Sequence, residues 1–99
     1  MSSVGKYVIC RTYSAGVFAG TLESQSEDGK RVVMRNARRI WYWAGACSLS
    51  QLAMEGTKEP EKCKFPCPVD SVELTEAIEI LDVTPAAQES IQGVPLWKK

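Results

Sequence analysis

The sequence contains no histidine, so all 99 residues lack the side chain that most often serves as a general base or a metal ligand. The serine-nucleophile, P-loop and dinucleotide-binding glycine signatures are also absent. A cysteine nucleophile would need a neighbouring base, and no candidate is evident. These absences predict a binding protein that is not an enzyme and carries no cofactor. The enzymatic alternative is acid–base chemistry by Glu73, Glu76 and Glu79, whose more ordinary role is a solvated face.

The spacing of the four cysteines gives only weak support for a metal. Cys63 and Cys67 are separated by three residues and could complete a four-thiolate zinc site with Cys10 and Cys47. A structural zinc site usually shows two closely spaced pairs, whereas Cys10 and Cys47 are isolated in the sequence. We therefore predict free thiols and no metal, with Cys10 packed as a small apolar residue in a strand.

Long hydrophobic runs are also missing. The apolar stretches are far shorter than the roughly 20 residues needed to cross a bilayer, and the N-terminus has no signal-peptide apolar region. We therefore expect a cytoplasmic protein without a membrane partner. The hydrophobic share of 44% is ordinary for a folded chain, and the length suits one domain, so residues 1–99 are assigned to a single domain.

The net charge is zero, but the charges are unevenly distributed. Residues 1–45 hold seven basic and three acidic groups, a net +4, whereas residues 46–99 hold five basic and nine acidic groups, a net −4. All five arginines lie in the positive half, and arginine suits bidentate contact with phosphate. This pattern fits either a focused anion pocket or pairing of the two halves with each other or with a partner subunit. Zero net charge argues against stable binding of a nucleic-acid polymer.

Three segments of the first half combine β-branched and aromatic residues with turn signals at their ends. They predict strands over residues 6–12, 17–22 and 31–34. Residues 40–43 are also strongly β-prone, and residues 36–39 fit a turn, a bulge or straight strand. Residues 72–83 are predicted as one further strand, although their apolar spacing also fits a helix.

Two short helices are marked by their caps. Ser48, with Gln51 three residues on, fits a capping box, and Gly56 is placed to end a helix over residues 48–55. Thr84 followed by a proline predicts a second helix over residues 85–92. Residues 57–70, which hold three prolines, are predicted to form a loop, and residues 94–99 a tail. The outline is an α+β fold: a small antiparallel β-sheet of about four to five strands with two short helices.

Two segments have compositions typical of a recognition surface. The first, residues 11–17, places the guanidinium of Arg11, the hydroxyls of Thr12 and Ser14 and the phenol of Tyr13 around a glycine turn. Backbone N–H groups and hydroxyls of such a turn can hold an anion. The alternative is an ordinary hairpin turn in which Tyr13 caps the core.

The second segment, residues 36–43, joins arginines to large aromatic rings. Arginines can take phosphates, and rings can stack on bases for roughly 1–3 kcal/mol per base. The candidate ligand contacts are Asn36, Arg38, Arg39, Trp41 and Tyr42. In a regular strand Trp41 and Trp43 share one face and Tyr42 takes the other, so the three rings cannot all line one pocket. The alternative is that the tryptophans fill the core or a subunit interface.

These segments carry a family resemblance. RTYSAGV at 11–17, NARRIWYW at 36–43, SLSQLA at 48–53 and LTEAIEIL at 74–81 resemble a family of small proteins carried by bacteriophages, and the likeness runs from Tyr7 to Trp97. That family is similar to phage anti-CBASS sponge proteins, which bind cyclic oligonucleotide immune signals without cleaving them. The resemblance implies a homo-oligomer with ligand pockets between subunits, acting in the cytoplasm of the infected bacterium.

The resemblance and the residue chemistry together predict a non-enzymatic protein that sequesters a cyclic dinucleotide or a related nucleotide signal. The expected assembly is a dimer or tetramer, because three tryptophans on so short a chain leave apolar surface to share. The expected ligand contacts are phosphate-binding Arg11, Arg38 or Arg39, stacking Tyr13, Trp41 or Tyr42, and hydrogen-bonding Thr12, Ser14 and Asn36. The rival prediction is an interaction protein that binds a host or phage protein through its aromatic and arginine residues.

Overall fold

The computed structural model describes residues 3–97, so Lys98 and Lys99 of the predicted tail lie outside the described residues. The described chain holds five strands, two helices and one turn of 3-10 helix. In chain order these are β1 (Tyr7–Thr12), β2 (Val17–Gln25), β3 (Val32–Arg39), α1 (Leu49–Glu55), the 3-10 turn (Pro60–Lys62), β4 (Val69–Leu74), β5 (Ala77–Asp82) and α2 (Pro85–Gln92). The predicted α+β fold with a small antiparallel sheet and two short helices is confirmed. Neither helix, at seven and eight residues, is long enough to span a membrane within the described part of the chain.

The five strands form one antiparallel sheet in the order β4-β3-β2-β1-β5, so β4 and β5 are its two edges. Only Thr75 and Glu76 separate these two strands in sequence. The edges of a flat five-stranded sheet lie about 19 Å apart, whereas the three Cα steps between the strands span at most about 11 Å. The sheet must therefore curl until its edges approach each other at one end. Two hydrogen bonds hold this end: Tyr13 N–H donates to the Glu76 carbonyl at 3.0 Å, and Ala77 N–H to the Lys30 carbonyl at 2.8 Å.

The curl divides the core into an inner and an outer cluster, because side chains alternate between the two faces of each strand. The inner cluster draws on all five strands and is enclosed by the sheet itself: Val8, Cys10, Phe18, Leu22, Val32, Met34, Ala37, Leu74 and Ala77. The outer cluster packs the opposite face of the sheet against the helices and the segments around them: Tyr7, Ile9, Ala19, Ile40, Leu52, Ala53, Cys63, Phe65, Ile91 and Val94.

Both predicted helices are present, and their caps explain their ends. The Ser48 hydroxyl accepts from Gln51 N–H at 3.2 Å, and Gly56 follows α1 with φ +76°, a conformation that favours glycine. The Thr84 hydroxyl accepts from Ala87 N–H at 3.1 Å at the start of α2. It also donates to the Met54 carbonyl at 2.8 Å and so ties α2 to α1.

Three predictions about the strands were wrong in detail. Residues 72–83 form two strands, not one, because β4 pairs with β3 while β5 pairs with β1 on the far side of the sheet. β4 begins at Val69, inside the segment predicted as loop, and Pro60 opens the 3-10 turn in the same segment. Residues 40–43 lie beyond the end of β3, where Tyr42 makes an isolated bridge to Lys64.

Asn36 resolves the open alternatives for residues 36–39. β3 continues through these residues to Arg39, but Asn36 adopts φ +49°, in the left-handed region that asparagine tolerates better than most residues. The pairing of β3 with β2 shifts register at this point, as expected of a bulge. Opposite the irregularity lies Gly20, where an added Cβ would come within 2.9 Å of the Ala37 Cα atom and of the Arg35 carbonyl oxygen.

Candidate functional site

The two recognition segments predicted from the sequence meet in space and form a shallow groove of about 370 Å³. One wall is the turn between β1 and β2, and the other is the end of β3 with the residues that follow it. The Ile40 N–H donates to the Val17 carbonyl at 2.7 Å and fixes the distance between the two walls. The lining residues are Ser14, Ala15, Gly16, Val17, Arg39, Ile40, Trp41 and Trp43, which we call the turn–arginine groove.

Thr12 builds the turn that forms the first wall. Its hydroxyl donates to the Gly16 carbonyl at 2.7 Å and accepts from Ala15 N–H at 2.9 Å. Gly16 has φ +97°, which suits glycine and lets the turn close. Because Thr12 is buried and both of its hydroxyl interactions are internal, it shapes the groove and does not line it.

Arg39 is the cation of the groove. Its guanidinium donates to the Ala15 carbonyl at 2.6 Å and lies 4.5 Å from the centre of the Phe18 ring, so the β1–β2 turn and the start of β2 hold it in place. The other exposed arginines each pair with a carboxylate: Arg11 with Glu79, Arg31 with Glu73 and Arg35 with Glu23. Within residues 3–97, Arg39 is the one exposed arginine without such a partner and is available to an anion.

The remaining predicted contacts of the first segment surround the turn. Tyr13 is 77% exposed and does not cap the core. The Ser14 hydroxyl lines the groove but donates to the Glu76 carboxylate at 3.4 Å. Arg11 forms an ion pair with Glu79 at 2.9 Å, which joins the basic first half of the chain to the acidic second half. Glu76 therefore opposes an anion at this edge of the groove, and Arg39 favours one at its centre.

Arg38 is placed away from the groove, in the outer core, with only 4% of its surface exposed. All five of its N–H groups face backbone carbonyl oxygens at 2.8–3.3 Å, those of Phe65, Pro66, Ile91, Val94 and Pro95. Burial lowers the pKa of its guanidinium, although arginine stays charged in proteins. The structure thus engages Arg38 with the protein itself and leaves it no N–H for the direct phosphate contact predicted for it.

Asn36 also lies outside the turn–arginine groove. It is exposed and lines a separate cleft of about 580 Å³ that reaches Arg38 and the chain after α2. The predicted set of contacts therefore divides between two surfaces, because the bulge at Asn36 and the twist of β3 turn neighbouring side chains in different directions.

Trp41 and Tyr42 stand on an exposed surface beside the groove. Short backbone bridges align three segments there: Lys64 N–H donates to the Tyr42 carbonyl at 2.8 Å, and Trp97 N–H to the Phe65 carbonyl at 3.0 Å. The exposed members are Trp41, Tyr42, Lys64, Leu96 and Trp97, which we call the aromatic platform. Trp43 instead packs against the outer core, so the three neighbouring rings do not follow the alternation of a regular strand.

The platform contains residues that the sequence did not single out. The Trp97 ring stacks on Trp41, with centroids 6.3 Å apart and planes 5° apart. The Lys64 ammonium lies 5.9 Å from the Tyr42 ring centre and 5.7 Å from that of Trp97. An isolated tryptophan in the tail was the only signal for this arrangement, and nothing in the local pattern indicated its partners.

The described residues also include the side chains that the alternative chemistries would use. The four thiols are free, and burial raises the pKa of Cys10 to about 11. The part of the chain from residue 3 to residue 97 holds no cluster of three or more histidine, cysteine or acidic side chains suited to a metal ion. Glu73 and Glu79 form ion pairs with arginines and point to structural roles.

Residues 5–91 match the family described as a domain of unknown function, DUF6948. The chain belongs to that family. The matched region includes both walls of the turn–arginine groove and Arg38, whereas Leu96 and Trp97 of the aromatic platform follow it. No curated protein and no solved structure matches the chain. The description of the DUF6948 family assigns no activity, so a function must be argued from the groove.

Proposed function

We propose that this protein binds and sequesters a cyclic oligonucleotide signal, such as a cyclic dinucleotide, without cleaving it. The observation that carries the proposal is the convergence of the two recognition segments on one groove, where Arg39, free of any carboxylate among the described residues, lies beside the exposed ring of Trp41. This pairing of a cation with an exposed aromatic ring is the chemistry that a phosphate and its adjoining base require.

Each part of the ligand has a counterpart in the groove. The Arg39 guanidinium can pair with a phosphate while the Phe18 ring and the Ala15 carbonyl hold it in position. The exposed face of Trp41 can stack on a base, an interaction worth roughly 1–3 kcal/mol. The lining residues include no carboxylate and no thiol, which favours storage of the ligand over its hydrolysis.

A homo-oligomer fits this function. One groove supplies a single unpaired arginine, whereas a cyclic dinucleotide carries two phosphates. A second copy of the chain would supply the second Arg39, and the exposed rings of the aromatic platform offer apolar surface to bury in such an assembly. Sequestration of an immune signal places this activity in the cytoplasm of an infected bacterium, where the signal is made.

Isothermal titration with cyclic dinucleotides, cyclic trinucleotides and the matching linear dinucleotides tests the proposal. We expect tight binding of at least one cyclic species, which chromatography recovers intact. Arg39→Ala and Trp41→Ala should each weaken binding by roughly tenfold or more, because each removes a charge-assisted contact or a stacked ring. Arg31→Ala removes an exposed arginine that does not line the groove and is the matched control. Absence of heat with every cyclic species would refute the proposal.

A protein partner is the second candidate, and the aromatic platform specifically favours it. Trp41 is 64% exposed, and Tyr42, Leu96 and Trp97 extend its apolar surface with Lys64 among them. Exposed tryptophan and tyrosine are typical anchors of protein interfaces. In this case Leu96→Ala and Trp97→Ala would abolish binding of one stoichiometric partner while Arg39→Ala would not, and no nucleotide would alter the melting temperature.

A further inference from the structure

The cleft at Arg38 is separate from the turn–arginine groove and has a volume of about 580 Å³. It opens between β3, the residues after the 3-10 turn and the chain after α2. Its polar lining consists of Tyr7, Asn36 and Gln92, and Arg38 forms its base. We call it the Arg38 cleft. It goes beyond the proposed function, since Arg39 and Trp41 do not line it.

Arg38 brings a full positive charge into this site without a carboxylate to balance it. None of the ion pairs in the described chain involves Arg38, and none of the residues lining the cleft is acidic. Buried charges in proteins are normally paired, because an isolated ion loses its hydration energy on burial. The five carbonyl oxygens around the guanidinium supply hydrogen bonds but carry no net charge.

Helix α2 offsets part of this charge. Arg38 donates to the carbonyls of Ile91 and Val94 at 3.0 and 2.8 Å, so it caps the C-terminal end of the helix. That end of a helix carries the equivalent of roughly half a negative charge. A positive field therefore remains at the base of the cleft, where nearby apolar groups lower the local dielectric and strengthen it.

The polar side chains that line the cleft beside Arg38 can donate hydrogen bonds to an anion that this positive field attracts. The pKa of Tyr7 is raised to about 12 by burial, so its hydroxyl is protonated at neutral pH. Asn36 and Gln92 are exposed at the rim, and each carries an amide group with two donors. The apolar part of the lining is formed by Pro68, Val94, Pro95 and Leu96.

We propose that the Arg38 cleft binds a small organic anion, in which a carboxylate or phosphate group is attached to an apolar body. The anionic group accepts from the Tyr7 hydroxyl and from the Asn36 and Gln92 amides, and Arg38 attracts it through space. The apolar body lies against the residues that follow α2. A mostly apolar lining with a few convergent donors is typical of small-molecule sites.

Titration of isotopically labelled protein with phenyl phosphate, benzoate and benzyl alcohol, followed by NMR, tests this site. We expect saturable shifts of the backbone amides at residue 36 and residues 92–96 with at least one anion. Benzyl alcohol, a neutral molecule with the same ring, should bind about tenfold more weakly or worse, because it gains nothing from the field of Arg38. The tighter of the two anions identifies the preferred charged group.

Gln92→Glu is the decisive variant, because it places a negative charge at the rim of the cleft with almost no change of shape. It should weaken anion binding about tenfold or more, while Gln88→Glu, one turn earlier on the same helix, should retain binding within about twofold. Equal anion affinity in Gln92→Glu, equal affinity for benzyl alcohol, or no shift with either anion would overturn the proposal. Loss of phenyl phosphate binding in Arg39→Ala would place the anion in the turn–arginine groove and would also overturn it.

Discussion

Trp97 stacks in parallel on Trp41, with ring centroids 6.3 Å apart and an angle of 5° between the planes. The two residues come from opposite halves of the sequence, and the backbone bridge between Phe65 and Leu96 brings them together. Trp41 is thus exposed and yet held in one orientation. Because the Trp41 ring is already fixed, a ligand that stacks on it costs less side-chain entropy than a ligand that must immobilise a mobile ring.

Removal of Trp97 should weaken the binding of a base to Trp41. If the proposed nucleotide function holds, Trp97→Ala lowers affinity by roughly two- to tenfold, the range expected for an aromatic pair worth about 0.5–1.5 kcal/mol. Isothermal titration measures the affinity, and tryptophan fluorescence anisotropy reports the release of Trp41. Leu96→Ala removes neighbouring apolar surface without the stack and is the control. Unchanged affinity in Trp97→Ala would show that Trp41 acts without its neighbour.

Loss of the Arg38 guanidinium should strongly destabilise the protein. Arg38→Met removes one donor from each of five carbonyl oxygens, of which those of Phe65 and Ile91 keep a backbone N–H donor. We expect the free energy of unfolding to fall by about 3 kcal/mol or more. Arg38→Lys should not restore it, because an ammonium has three donors and no planar fork. Urea unfolding monitored by circular dichroism gives the values. Arg35→Ala, on the solvent side of the same strand, should change stability little, and a loss equal to that of Arg38→Met would contradict the assignment.

Alkaline pH should destabilise the fold through Cys10. The pKa of its thiol rises from 9.0 to about 11 because burial disfavours the thiolate, so the unfolded chain releases this proton first. The stability that this group contributes is complete below pH 9 and is lost as the pH rises to 11. The loss amounts to at most about 3 kcal/mol. Urea midpoints across this pH window should fall less steeply in Cys10→Ala than in the wild type, whereas the exposed-site variant Cys47→Ala should match the wild type.

The Thr84 hydroxyl should stabilise the protein in two ways, because it caps the start of α2 and also bonds to α1. Thr84→Ala removes the bond to Ala87 N–H and the bond to the Met54 carbonyl, and we expect a cost of about 1–2 kcal/mol in the free energy of unfolding. Ser50→Ala changes an exposed hydroxyl inside α1 and should be neutral or slightly stabilising, since alanine has the higher helix propensity. Thermal unfolding distinguishes the two, and equal melting temperatures for both variants would argue against the cap.

The parts of the fold set by local chemistry could be predicted from the sequence, and those set by distant partners could not. The starts of both helices could be predicted from Ser48 and Thr84, because each capping hydroxyl bonds to a backbone N–H only three residues on. The break at Thr75 and Glu76 carries no comparable signal, since it exists only because β4 and β5 pair with different strands.

The candidate site follows the same division. The composition of residues 11–17 and 36–43 indicated the two walls of the turn–arginine groove, and the structure brings them together. The sequence could not predict that Arg38 is buried and Arg39 exposed. Adjacent residues of one strand face opposite sides, and the sequence does not say which side is covered. The contribution of Trp97 depends on backbone bridges between segments far apart in the chain, which local patterns cannot reveal.

The pairing of β1 with β5, in which Val8 lies opposite Asp82, has a consequence for the rate of folding. β5 can pair with β1 only after most of the chain between them has closed into a loop. The entropy of closing that loop is lost before the strand contacts that stabilise the pair have formed. Chains dominated by such remote pairings fold in about milliseconds to seconds, compared with microseconds for small helical bundles. During that delay the β4 and β5 edges are exposed to neighbouring chains, so refolding yield should fall as protein concentration rises.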